Sequence, residues 1–166
     1  MKKSKAGVAA EWVAFIFYIG LLVYFTIFAE SMGRTVPIVS SSYRYNLVPL
    51  KEIKRFLCNT DTLGWEPVIL NIAGNVIAFI PFGYFLPRLF KYRIQFLKAV
   101  LVSFDLSLAI EIIQLLSRVG SFDVDDLILN TLGGIIGYIL CSGDLLNDGN
   151  QQRRAIRMGQ WEERAE

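Results

Sequence analysis

Residues 111–130 read EIIQLLSRVGSFDVDDLILN. They close one apolar run and open another. In or between the two runs stand six groups that hydrocarbon does not solvate: Glu111, Gln114, Asp123, Asp125, Asp126 and Asn130. An ionisable side chain inside a membrane span costs about 2.5–3.5 kcal/mol or more, so it persists where it is paired, wet or used. Whether this stretch lies in a membrane decides the fold, and the rest of the chain answers that.

Four apolar segments stand out, at about 9–29, 67–87, 96–116 and 123–141. The first three are long enough to cross a hydrocarbon core of about 30 Å at about 1.5 Å per residue. The fourth has a shorter strictly apolar part, beginning near Leu127. It spans only if its helix starts near Asp123 or if the bilayer thins. Either solution draws the aspartates to the membrane surface. Asp123 or Asp125 then suits an N-cap, and Asp126 falls in the first turn, where the helix dipole favours a carboxylate. The first segment follows Lys2, Lys3 and Lys5 but is too long for the apolar core of a signal peptide, so it reads as a retained helix.

Composition agrees. Of 166 residues 54% are hydrophobic and 19% charged, with a mean hydropathy of +0.43. Soluble domains carry about a quarter charged residues. The expected fold is all-α: a polytopic membrane protein, a bundle of four transmembrane helices with a long first extracytoplasmic loop. Residues 1–142 form that domain, and 143–166 form a polar, surface or mobile helical tail. The net charge of +2, scattered over tails and loops, excludes a nucleic-acid partner. The absence of His removes the commonest general base and metal ligand. Cys58 and Cys141 fall at opposite membrane faces and read as free thiols. The tail, the 88–98 loop and the N-terminus hold eleven Lys and Arg, against six on the other side. Both termini are therefore expected in the cytoplasm, and the plasma membrane is the expected location.

Under this topology polar residues collect at one end of three spans. Asn71 and Asn75 share a face of the second, with Gly74 beside them. Ser103, Ser107, Glu111, Gln114 and Arg118 form a stripe on the third. Asp126, Asn130 and Gly133 or Gly134 share a face of the fourth, where Gly133 and Gly137 make a packing surface. The expected result is an outward-facing polar pocket formed by Asn46, Asn71, Asn75, Glu111, Gln114, Arg118, Asp123, Asp125, Asp126 and Asn130. The first loop, with Arg44, Asn46 and Pro49, is its lid. The structural reading carries equal weight for several of these. Asn71, Asn75, Gln114 and Asn130 would each serve as interhelical hydrogen-bond partners worth about 0.6–2 kcal/mol. Arg118 would neutralise Glu111 or an aspartate, Asp123 would only cap a helix, and Asp105 would be a buried structural carboxyl. Four carboxylates in one leaflet repel unless Arg, a cation or protons offset them.

The same residues carry a family pattern. Asn46-Leu-Val-Pro49 is followed by Asn71-Ile-Ala-Gly-Asn75 and Phe79-Ile-Pro-Phe-Gly83. Then come Ser107 to Glu111, Gln114, Arg118, Phe122-Asp-Val-Asp-Asp126 and Asn130-Thr-Leu-Gly-Gly134. In order and spacing these resemble the VanZ-like family of bacterial membrane proteins over most of residues 10–141. The founding member of that family is associated with teicoplanin resistance in Gram-positive bacteria. The resemblance implies a cell-envelope setting and no particular chemistry.

Three functions are open at this level. The first is a non-enzymatic protein whose pocket binds a lipid-linked cell-wall precursor or an envelope protein, with Arg34, Arg44, Lys51, Lys54 and Arg55 suited to lipid phosphates. The second is an enzyme with Glu111 as catalytic carboxylate and a divalent cation held by the Asp123, Asp125 and Asp126 cluster. The third is a small carrier relaying protons through Glu111 and Asp105. No cofactor is implied, and the bilayer is the one assured partner.

Overall fold

The computed structural model describes residues 4–32, 43–90, 94–118 and 120–162. Lys2, Lys3, Arg34, Lys91, Arg93 and Arg164, which enter the charge count above, lie outside the described residues. The element order is α1 (Lys5–Met32), β1 (Tyr45–Asn46), α2 (Lys51–Cys58), α3 (Thr60–Leu63), α4 (Trp65–Leu89), α5 (Phe96–Ser117), β2 (Phe122–Asp123) and α6 (Val124–Glu162).

Four helices are long and apolar enough to cross a membrane: Lys5–Thr26, Val68–Leu89, Phe96–Ser117 and Val124–Asp144. A chain in lipid must satisfy its backbone internally, and four apolar helices do so. The protein is a multi-pass membrane protein with the expected all-α architecture. Of the two ways for the fourth span to reach full length, the helix takes the early start, directly after Asp123. Its other end runs without a break through residue 142 to Glu162. The polar tail is thus a continuation of α6.

Glycine decides how closely α4 and α6 approach. A Cβ on Gly83 would collide with the carbonyl oxygen of Gly134, and one on Gly133 with the carbonyl oxygen of Val76. One on Gly137 would meet the carbonyl oxygen of Ile80, and one on Gly134 the hydroxyl of Ser103 on α5. Gly133, Gly134 and Gly137 of α6 therefore pack within this chain, backbone against backbone, as small residues do where the hydrophobic effect no longer drives helix association. Phe79 and Phe82 of α4 fill the adjoining core with Leu22, Leu86, Ala99 and Ile110.

α1 gives this core one buried residue, Leu22, and is otherwise held by a few specific contacts. Phe15 stacks on Phe82 with ring centres 6.0 Å apart. The Tyr18 hydroxyl donates to the Ala78 carbonyl at 2.6 Å. Glu11 pairs with Arg88 at 3.1 Å, and Arg88 donates to the Tyr84 hydroxyl, which donates to Asp144. That chain ties α1, α4 and α6 together at the end of the bundle away from β1 and β2.

The first loop carries more structure than its composition advertises. β1 pairs in parallel with β2, Tyr45 opposite Phe122 and Asn46 opposite Asp123. The loop is thereby fastened to the α5–α6 turn. One expectation fails: Asp105 is not buried but lies on the exposed face of α5. It stands two residues from Ser103 and two from Ser107, both fully buried, so the helical repeat turns it away from the bundle.

Replacing Gly137 by Val should destabilise the bundle by about 1–3 kcal/mol or more, the usual cost of overpacking. Gly20→Ala, where nothing lies within 4 Å of an added Cβ, should leave stability unchanged or slightly raised. Thermal unfolding of both variants in detergent micelles measures the contrast.

Candidate functional site

The start of α6 explains the acidic run. Asp123 is the N-cap, its Oδ1 accepting the Asp125 N–H at 2.9 Å. The Asp123 N–H in turn donates to Glu111 Oε2 at 2.8 Å. Glu111, only 2% exposed, therefore closes the α5–α6 connection by accepting a backbone proton. Arg118 ends α5 in the left-handed region, with φ 57°. Its guanidinium lies over the Tyr43 ring, 4.9 Å from the centroid, and not on Glu111 as the ion-pair expectation had it.

Asp125 reaches furthest. It is 1% exposed, and its carboxylate accepts the backbone N–H groups of Leu50, Glu52 (2.7 Å) and Ile53 (3.1 Å). These lie at the amino end of α2, which has no side-chain cap of its own because Leu50 occupies the cap position. Helix starts leave their first amides unsatisfied and carry a partial positive charge. Asp125 supplies both missing acceptors and opposite charge from the far side of the fold.

Asp126 and Asp123 have side-chain partners. Asn75 Nδ2 donates to Asp126 Oδ1 at 2.5 Å, bridging α4 and α6. Asn46 Nδ2 donates to Asp123 Oδ1 at 3.1 Å, and Asn46 Oδ1 accepts the Val48 N–H. Burial pushes the Asp123 carboxyl above its ordinary range, against the pull of its Asp125 and Asn46 donors. The folded chain then holds this proton more tightly than the unfolded chain, so the contribution of Asp123 to stability falls as pH rises from 3.8. The four carboxylates that ought to repel are thus each met by N–H donors.

In front of Asp123 and Asp126 opens a cleft of about 270 Å³. Its lining includes Asn46, Asn71, Asp123 and Asp126, four of the residues expected to form a pocket. The opposite wall comes from the first loop, chiefly Arg44, Lys51 and Arg55, with Tyr45, Glu52, Phe56 and Ser121 completing the lining. Arg55 is paired with Glu52 at 2.6 Å. Of the residues expected to form a lid, Arg44 and Asn46 line the cleft, and Pro49 is exposed outside the lining.

The other expected site residues stand behind it. Asn75 holds Asp126 from below. Glu111 and Asp125 are buried and committed to backbone. Gln114 Nε2 donates to the Thr26 carbonyl of α1 at 2.9 Å, and Asn130 Nδ2 to Ser107 Oγ at 2.9 Å. These two amides join helices, the structural reading given above. Tyr45, Glu52, Phe56 and Ser121 were not anticipated. Only α2 held a signal: Arg55 follows Glu52 by three residues and Lys51 by four, the spacings at which helical side chains are neighbours. Among the described residues no three carboxylates or thiolates converge as a metal site.

Asp125→Ala should leave three buried amides without an acceptor, at a cost of about 1–3 kcal/mol. Hydrogen exchange at Leu50, Glu52 and Ile53 should accelerate, while α4 and α6 keep their protection. Equal loss of protection in all three helices would mean that Asp125 supports the bundle as a whole.

Comparison with known proteins agrees with this architecture. Over 70 residues the chain is 48% identical to the protein named "Protein VanZ" of Enterococcus faecium. The match covers 42% of this chain and 43% of that relative, so the chain spans less than half the length of the curated protein it matches. No solved structure matches it. The VanZ/LLP1 family pattern matches residues 15–147, from the middle of the first span through the fourth. With the match covering most of its length, the chain belongs to the VanZ/LLP1 family.

Proposed function

We propose that the cleft binds the anionic head of a lipid-linked envelope component, and that occupancy of this component lowers susceptibility to lipoglycopeptides such as teicoplanin. The observation that carries the reading is the division of charge across the cleft. Asp123 and Asp126 on one wall already accept hydrogen bonds from Asn46, Asn75 and the α6 backbone. Arg44 and Lys51 on the other wall are the groups left to address a ligand. Two cations facing a row of amides and a hydroxyl suit a phosphate with polar substituents.

Position supports a lipid. Asn71 lies within a span and Asp126 in the first turn of another, so the cleft opens at membrane depth. The excess of Lys and Arg at the opposite end supports an orientation with both termini in the cytoplasm, in which the cleft faces outward, where glycopeptides act on wall precursors. The distribution of carboxylates favours binding over the two other readings. Glu111 is committed to the Asp123 amide. Asp105 lies on the exposed face of α5, about 120° around the helix from buried Glu111, which speaks against a relay between them.

The test uses the full chain in lipid nanodiscs with a polyprenyl pyrophosphate. Arg44→Gln and Lys51→Gln should each weaken binding about fivefold, the worth of one near-surface charge. Asn71→Ala should weaken it without changing its salt dependence. Failure of the wild-type chain to bind, or equal binding by the double Arg44→Gln, Lys51→Gln variant, overturns the reading. In cells, deletion of the gene should lower the teicoplanin concentration that stops growth.

A further inference from the structure

The exposed position of Asp105 has no role in the cleft. Around α5, successive residues step by about 100°, so Asp105 lies some 180° from the centre of the face formed by Ser103, Ser107, Ile110 and Gln114. All four of those residues are buried. Along the axis it stands nine residues from Phe96 and twelve from Ser117, about 14 Å from the nearer end. A short aspartate side chain cannot reach a headgroup from there, as a long basic one can. The residue therefore presents a carboxyl to the middle of the hydrocarbon, where such groups are costly unless paired.

Its neighbours make it the centre of a seam. Leu101, Asp105, Leu108 and Ile112 follow steps of four, three and four, the spacing of a helix that packs against another. Leu101 and Ile112 are exposed with it. The seam is otherwise apolar, and among the described residues no element covers it.

We infer that this face of α5 docks a transmembrane helix of a different protein, one carrying a Lys or Arg at its midpoint. Charge selects that occupant over a second copy. The basic residues within the four spans are Lys5, Arg88 and Lys98, all near span ends, and Arg88 is engaged by Glu11. A second copy of this chain would bring no cation to the depth of Asp105. It would bring another carboxyl and no opposite charge. A mid-span cation removes the cost of an unpaired carboxyl and forms a charge-assisted hydrogen bond in a medium that does not screen it.

The test reconstitutes the labelled full-length chain in vesicles with a single-span polyleucine helix bearing one central Lys. An all-leucine helix of equal length is the control, and energy transfer reports association. The wild-type chain should bind the lysine helix about fivefold or more tightly than the control. Asp105→Leu should bind both alike, while its thermal unfolding matches or exceeds that of the wild type, since the side chain touches no core. Asp105→Asn should show an intermediate preference, keeping the hydrogen bond without the charge. Equal binding of the two helices by the wild type overturns the inference. So does association of wild-type chains with one another that Asp105→Leu abolishes, because that result makes a second copy the occupant.

Discussion

The carboxylate of Asp125 holds the amino end of α2 across a sequence separation of 75 residues. Most of the polar end of the molecule follows from that contact. α2 is eight residues long, too short to persist alone in water and without a cap of its own. Three of its leading amides close on one buried carboxylate from α6. Once α2 is fixed, Lys51 and Arg55 have a fixed place, and the cleft has a wall. The neighbouring β1–β2 pairing sets Arg44 and Asn46 in the same way, through Phe122 and Asp123. Loop and membrane helix are thus joined by main-chain hydrogen bonds at one short acidic segment.

The acids of that segment escape mutual repulsion by a route that charge counting does not suggest. Each of them has an N–H group among its partners. Glu111 takes the Asp123 amide, Asp123 takes an amide and the Asn46 side chain, Asp125 takes three amides, and Asp126 takes the Asn75 side chain. Several N–H dipoles aimed at one carboxylate stabilise its ionised form much as a cation does. Arg118, the nearest arginine in sequence, lies on the Tyr43 ring. The arrangement also depends on the glycine-lined contact of α4 and α6. Asn75 reaches Asp126 because Gly133 and Gly137 let the two backbones meet.

The large features were legible in the sequence because they follow from length and periodicity. Four apolar runs predicted four spans, and Gly133 and Gly137 announced a close helix contact. An N-cap at Asp123 or Asp125 followed from the need to lengthen a short fourth span, and the structure uses Asp123. What escaped reading depended on separations that local patterns do not encode. Nothing near Leu50 indicates that its helix is capped from α6, and nothing near Asp125 indicates that its target lies in the first loop. Glu111, Gln114 and Asn130 were correctly placed on inward faces, but an inward face does not distinguish a cavity from a solid junction. Asp105 was misplaced for a simpler reason. A position off the polar stripe can face a neighbour or lipid, and the sequence does not say which; among the described residues this face of α5 has no neighbour.

The acids and the bases of this end of the molecule therefore serve different ends. The acids come from the membrane helices and spend their hydrogen-bonding capacity on the fold. Arg44, Lys51 and Arg55 come from the loop and line the cleft. A ligand would meet cations whose positions are set in advance by main-chain contacts, with little side-chain and loop ordering left to complete on binding. Removing one of the acids would then disturb binding indirectly, through the pose of α2 or of β1, and would resemble loss of a ligand contact in any assay that measured binding alone. Loss of a base would change binding and its salt dependence while the amides of α2 stayed protected. That difference separates scaffold from site at a place where sequence position and charge place them side by side.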